Sequence, residues 1–145
     1  MEEMRTELIR PPQEMPALAL AYLGDAVWEL FVRQHLLAMG ELRPHRLQKA
    51  SVHYVKAKSQ ADIIHFLSKD LTEEEAGVVR RGRNAKSGTV PKNADVIDYR
   101  HSTGFESLLG YLFLRGDHDR LRELAAAAIE FVDSKLRKGD RNEKN

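Results

Sequence analysis

Residues 19–29 read Ala19-Leu20-Ala21-Tyr22-Leu23-Gly24-Asp25-Ala26-Val27-Trp28-Glu29, an apolar, helix-forming run with a glycine–aspartate pair at its middle. Glycine costs about 1 kcal/mol against alanine inside a helix, and a carboxylate is costly wherever its neighbours take it out of water. Two unfavourable choices side by side need a reason. A run far downstream has the same layout: Thr103-Gly104-Phe105-Glu106-Ser107-Leu108-Leu109-Gly110-Tyr111-Leu112-Phe113-Leu114 also sets a carboxylate and a glycine into an apolar helix. If the two helices cross at Gly24 and Gly110, Asp25 and Glu106 converge. Converging carboxylates repel unless a cation or a proton intervenes, and a hard cation such as Mg²⁺ takes oxygen ligands while keeping several of its waters. Taken singly, each acid also has an ordinary reading. Asp25, Glu29 and Arg33 fall at i, i+4 and i+8 and could form a plain solvated stripe. Thr103-x-x-Glu106 has the spacing of a capping box.

Working outward, the pattern is helical almost throughout. A first helix starts at Pro16, a residue favoured at the first helical position, and runs to about Met39, where Gly40 can end it. Leu23, Val27, Leu30, Phe31 and Leu37 fall on one side. Trp28 and Phe31 give this helix more apolar surface than one internal face needs, which marks it as a dimer element. A second helical region runs from Pro44 to about Lys69, as one bent helix or two, with Leu47, Ala50, Tyr54, Ala57, Ala61 and Ile64 at the helical period. Thr72 reads as an N-cap, with Glu73, Glu74 and Glu75 in the first turn where acids suit the macrodipole. That helix gives out near Gly82.

Residues 84–95, dense in Gly, Pro, Asn and Ser, read as a loop, long enough for a functional role. The helix carrying Phe105, Leu108, Leu109, Leu112 and Phe113 stops at Gly116. Asp117 caps a last helix with an apolar stripe of Leu121, Leu124, Ala125, Ala128, Val132 and Leu136. No stretch alternates with period two. The expectation is an all-α helical bundle, one domain over residues 1–145, with an N-terminal extension over 1–15 and a frayed tail over 139–145.

Composition sets the outer limits. The 145 residues fit one domain, and 42% apolar with 31% charged residues is a globular balance, not a disordered one. The absence of cysteine excludes disulfides and thiolate metal sites. The acidic, polar start is no signal peptide, and no apolar run approaches the ~20 residues that span a bilayer. A cytoplasmic protein with no membrane partner is expected. The net charge of +1 hides two basic stretches. Arg43 to Lys58 contains Lys49 and Lys56 and no acid. Arg80 to Arg100 contains Arg80, Arg81, Arg83, Lys86, Lys92 and Arg100, with Asn93 in the intervening loop. Such faces suit phosphate contacts. The six histidines show no ligand spacing.

Tyr22-Leu23-Gly24-Asp25-Ala26-Val27 resembles the signature helix of the ribonuclease III family, and Glu106-Ser107-Leu108-Leu109-Gly110-Tyr111-Leu112 is similar to its second catalytic helix. Lys58-Ser59-Gln60-Ala61 and the Lys86-Ser87-Gly88 loop sit where that pattern places them. Longer members carry two further acids, where this chain has Ala21 and Thr103. With no room left for a double-stranded-RNA-binding domain, the chain is similar to the short Mini-ribonuclease III branch. The resemblance implies a ribonuclease III-type catalytic domain that cleaves double-stranded RNA as a homodimer, using Mg²⁺ or Mn²⁺ held by Asp25 and Glu106. It implies a part in maturing 23S ribosomal RNA precursor ends. Two other readings stand beside it: a non-catalytic helical RNA-binding scaffold of the same type, and a metal-dependent hydrolase of small phosphorylated substrates.

Overall fold

Along α5 (Val96–Arg115) every residue from Ser102 to Leu112 is buried except Glu106. A helix apolar on all sides belongs at the centre of a bundle, and the other helices are arranged around it. The computed structural model describes residues 7–86, 90–92 and 95–143. Around α5 lie α1 (Ala17–Ala38), α3 (Ala57–Leu67) and α4 (Glu73–Asn84), with α2 (Pro44–Val55) and α6 (His118–Glu143) closing the bundle. No strand occurs among the described residues, so the expected all-α class holds.

Local chemistry explains the ends. Asp95 caps α5 by accepting the Asp98 N–H at 3.0 Å. Gly116 ends α5 at φ 82°, a left-handed conformation that glycine adopts freely. Asp117 then accepts the Arg120 N–H at 3.4 Å. Thr72 and Glu75 form the full reciprocal capping box of α4.

The central contact is between α1 and α5. A Cβ built on Gly24 would lie 1.7 Å from the Glu106 carbonyl oxygen, and one built on Gly110 would lie 2.0 Å from that of Leu20. The two backbones therefore touch, and only glycine fits at either position. Ser107 Oγ donates to the Ala17 carbonyl at 3.0 Å and fastens the start of α1 to α5. Trp28 packs edge-on against Phe105, ring centroids 5.1 Å apart.

Several expectations change. The buried face of α1 is Leu20, Ala21, Gly24, Val27, Trp28, Val32 and Leu36, whereas Leu30 and Leu37 are exposed. The helix is apolar over most of its circumference, so periodicity alone did not select the inner face; the glycine did. Trp28 is fully buried and its Nε1 donates to the Tyr54 carbonyl at 2.9 Å, so it offers no dimer surface. The region from Pro44 is two helices, separated at Lys56, whose ψ of 151° is extended. α4 gives out at Asn84, near Gly82 as expected, but Gly82 itself is buried within it, where an added Cβ would meet Ser107 Oγ at 2.5 Å. The last helix continues through Glu143, beyond the start of the expected frayed tail.

Candidate active site

Asp25 stands exposed on α1, one residue after the glycine that touches α5. Glu106 stands half-buried on α5, and its own carbonyl is the atom that Gly24 contacts. The backbone contact thus forces the two acids into proximity, and their side chains are within hydrogen-bonding reach of each other. Burial first, then the Asp25 carboxylate beside it, push the Glu106 carboxyl up from 4.5 to about 9; Gln60 opposes the shift. The charged form of Glu106 is thus strongly disfavoured in the free protein. That is the electrostatic condition a divalent cation relieves.

The capping-box reading of Glu106 does not hold. Thr103 lies well inside α5, and its hydroxyl donates to the Tyr99 carbonyl at 2.9 Å. Thr103 is buried, its one hydroxyl hydrogen goes to Tyr99, and it brings no carboxylate to the pair. Ala21, the other place where longer members carry an acid, is 7% exposed. Glu29 pairs with Arg33 at 3.4 Å on the exposed side of α1. Among the described residues, no group of three or more Asp, Glu, His or Cys side chains gathers. The donor set is therefore two carboxylates at an open surface, which fits a hard cation that keeps most of its water. The pair does not fit a soft or tetrahedral metal, which wants nitrogen or sulfur.

Gln60, on α3, is legible in the sequence only within a family motif, with no role of its own. It is 2% exposed, and Nε2 donates to the Val55 carbonyl at 2.9 Å while the side chain also reaches Glu106. A signal was present: Gln60 falls at the helical spacing of Ala57 and Ile64, a polar side chain on an apolar stripe.

The predicted basic residues are placed unevenly. Arg80, Arg81, Lys86, Lys92, Arg100, Lys49 and Lys56 are exposed and Arg83 is half-buried, while Asn93 lies outside the described residues. Arg80 and Arg81 border a groove shared with the acids Glu73 and Glu74, so their charge is partly offset. Arg83 faces the His101 side of α5, where burial, then His65 and Arg83, hold the His101 imidazole below its usual value. Lys49 shares the exposed face of α2 with His45, Arg46 and His53.

The fold is an all-helical domain in which one acid-bearing helix crosses another, backbone to backbone, as the resemblance to ribonuclease III domains implies. The Ribonuclease III domain model matches residues 18–117, and the chain belongs to that family; it is an endoribonuclease. Similarity narrows the class further. The chain is 50% identical to the Mini-ribonuclease 3 of Brevibacillus brevis over 89% of this chain and 96% of that protein. It is 45% identical to the Mini-ribonuclease 3 of Enterococcus faecalis over 94% of this chain and all of that protein. A crystal structure of a Fusobacterium nucleatum protein superposes with a TM-score of 0.74 at 30% identity, covering 81% of this chain and 94% of that one. Among the described residues no helix is long and apolar enough to cross a membrane.

Proposed function

We propose that this endoribonuclease cleaves double-stranded RNA with a divalent cation, Mg²⁺ or Mn²⁺, held by Asp25 and Glu106. The observation that carries the reading is the convergence of these acids over the Gly24–Gly110 contact. When bound there, such a cation supplies positive charge to the phosphoryl oxygens and an acidified water for hydrolysis. The chain's own residues do the rest. Asp25, exposed, meets the phosphodiester; Glu106, half-buried, fixes the depth of the site. The exposed Lys86, Lys92 and Arg100 hold the backbone of a duplex whose shape and 2′-hydroxyls are read more than its sequence. An acid pair at an open surface suits a macromolecule better than a small phosphorylated substrate, which calls for an enclosing cavity.

A homodimer is part of the proposal. Tyr22 and Leu30, 86% and 62% exposed, give α1 an outward apolar stripe beside Asp25, in place of the buried Trp28. A two-fold pairing through that stripe puts one acid pair against each RNA strand. The substrate in the cell is then the paired ends of the 23S ribosomal RNA precursor, in the cytoplasm.

The test is incubation of long double-stranded RNA with the protein in Mg²⁺ or in EDTA, beside Asp25→Asn. Cleavage is expected only with metal and intact Asp25, with a loss of about 10³-fold or more in the variant, while RNA binding in EDTA persists. Intact RNA with full binding in every lane would return the protein to the scaffold reading. A sedimentation mass of one chain at working concentration would remove the dimer.

A further inference from the structure

We propose that Gln60 is a positioning residue of the metal site, holding the Glu106 carboxylate with its amide N–H and receiving a hydrogen from the cation's water shell on Oε1. The inference rests on the reading of Asp25 and Glu106 as the metal-binding pair.

Three observations carry it. Gln60 is 2% exposed on α3, so an unmet polar atom there is costly. Its amide orientation is settled by Val55: the carbonyl at the end of α2 accepts at 2.9 Å and needs a donor, so the atom facing it is Nε2. That leaves one N–H for Glu106, which the side chain reaches, and leaves Oε1 with no partner among the described residues. This buried acceptor lies beside Glu106, whose carboxyl can donate to it only while it keeps its proton; once a cation displaces that proton, the donor has to be brought in from outside. A cation that keeps several waters supplies such donors at this place.

The break between α2 and α3 explains how Gln60 comes to serve. The extended Lys56 turns the chain so that the Val55 carbonyl, left open at the end of α2, lies within reach of a side chain in the first turns of α3. Gln60 closes that carbonyl and, from the same amide, steers Glu106. Position 103 cannot take this part because the Thr103 hydroxyl is spent on Tyr99, and position 21 carries only a methyl group. A neutral amide also adds no third negative charge to a pair that already repels.

The experiment measures Mn²⁺ binding to the RNA-free full chain by electron paramagnetic resonance, with the cation dependence of double-stranded RNA cleavage measured in parallel. The proteins are the parent, Gln60→Met and Asp25→Asn. Residues that orient metal ligands typically contribute about 10–100-fold in affinity. Gln60→Met is expected to weaken Mn²⁺ binding by about that factor and to recover most of its cleavage at saturating cation. RNA binding in EDTA should equal that of the parent. Parental Mn²⁺ affinity in Gln60→Met, with Asp25→Asn showing the expected loss, overturns this inference and leaves the metal-site reading standing. Parental affinity in Asp25→Asn overturns the metal-site reading itself. Should Gln60→Met fail to fold, crystals of the parent soaked in Mn²⁺ decide the matter: Oε1 within hydrogen-bonding distance of a water on the cation is expected, and Oε1 without one refutes the role.

Discussion

Replacing Glu106 by glutamine should make the metal-free protein more stable, by an amount that grows with pH. Burial and Asp25 together raise the Glu106 carboxyl to about 9, against 4.5 in the open chain. A group whose pKa is raised on folding contributes its full stability below the open-chain value and loses it as pH climbs toward the folded one. Each pH unit in that window corresponds to about 1.4 kcal/mol. From pH 4.5 to 7 the parent therefore gives up as much as about 3 kcal/mol. That figure is a ceiling, because Asp25 is exposed and solvent screens its share of the repulsion. Glutamine keeps the shape, carries no charge at any pH and has no such slope. Urea unfolding followed by circular dichroism, in EDTA from pH 4.5 to 8.5, reads the difference directly, since groups common to both proteins cancel. The two curves should meet near pH 4.5 and separate steadily above it. A gap independent of pH, or a parent more stable than Glu106→Gln at pH 8, would refute the argument that the acids oppose each other. Adding Mg²⁺ to 100 times its dissociation constant should return about 2.7 kcal/mol to the parent and nothing comparable to the variant.

Other outcomes can be measured on the same preparation. Gly24→Ala drives a methyl group to 1.7 Å from the Glu106 carbonyl and should cost more than the about 1–3 kcal/mol of ordinary overpacking, whereas Gly77→Ala, with its nearest atom at 3.7 Å, should be neutral or stabilising by up to about 1 kcal/mol; equal melting temperatures for the two would contradict the contact. Arg120 grips Glu75 with Nε and a terminal nitrogen, each at 2.8 Å, and also reaches the Asp70 carbonyl. Arg120→Ala should therefore cost about 3–5 kcal/mol in chemical unfolding. The Arg120 hydrogen bonds hold the Glu75 carboxyl below its usual range. The contribution is thus present above about pH 4.5 and is lost as pH falls through the lowered value, so parent and variant should approach each other in acid. Neutralising Lys86 and Lys92 together should lower the salt dependence of RNA binding by about two logarithmic units per tenfold change in salt; an unchanged slope would place the RNA surface elsewhere.

Much of the site was legible because it breaks local rules. A glycine and an acid inside an apolar helix stand out from their neighbours whatever the fold, and the same anomaly recurs at Glu106 and Gly110. The start of α4, the end of α5 and the start of α6 were equally plain, since Thr72, Gly116 and Asp117 act on backbone groups a few residues away. The break at Lys56 was not, because no proline or glycine announces it. Gln60 was not singled out, because a polar side chain on an apolar stripe gains meaning only from what it faces.

By itself the sequence determined the helical class, the family and the need for close helix contact at two glycines, and it pointed to the two acids as candidates. Tertiary structure alone decided which face of α1 turns inward. That helix is apolar over most of its surface, so its hydrophobic period is degenerate; the choice was made where a missing Cβ let two backbones meet. The same contact took Trp28 into the core, left Tyr22 outside and set the height at which Asp25 meets Glu106. Such choices depend on which atoms a side chain would strike, and a one-dimensional pattern carries no record of that.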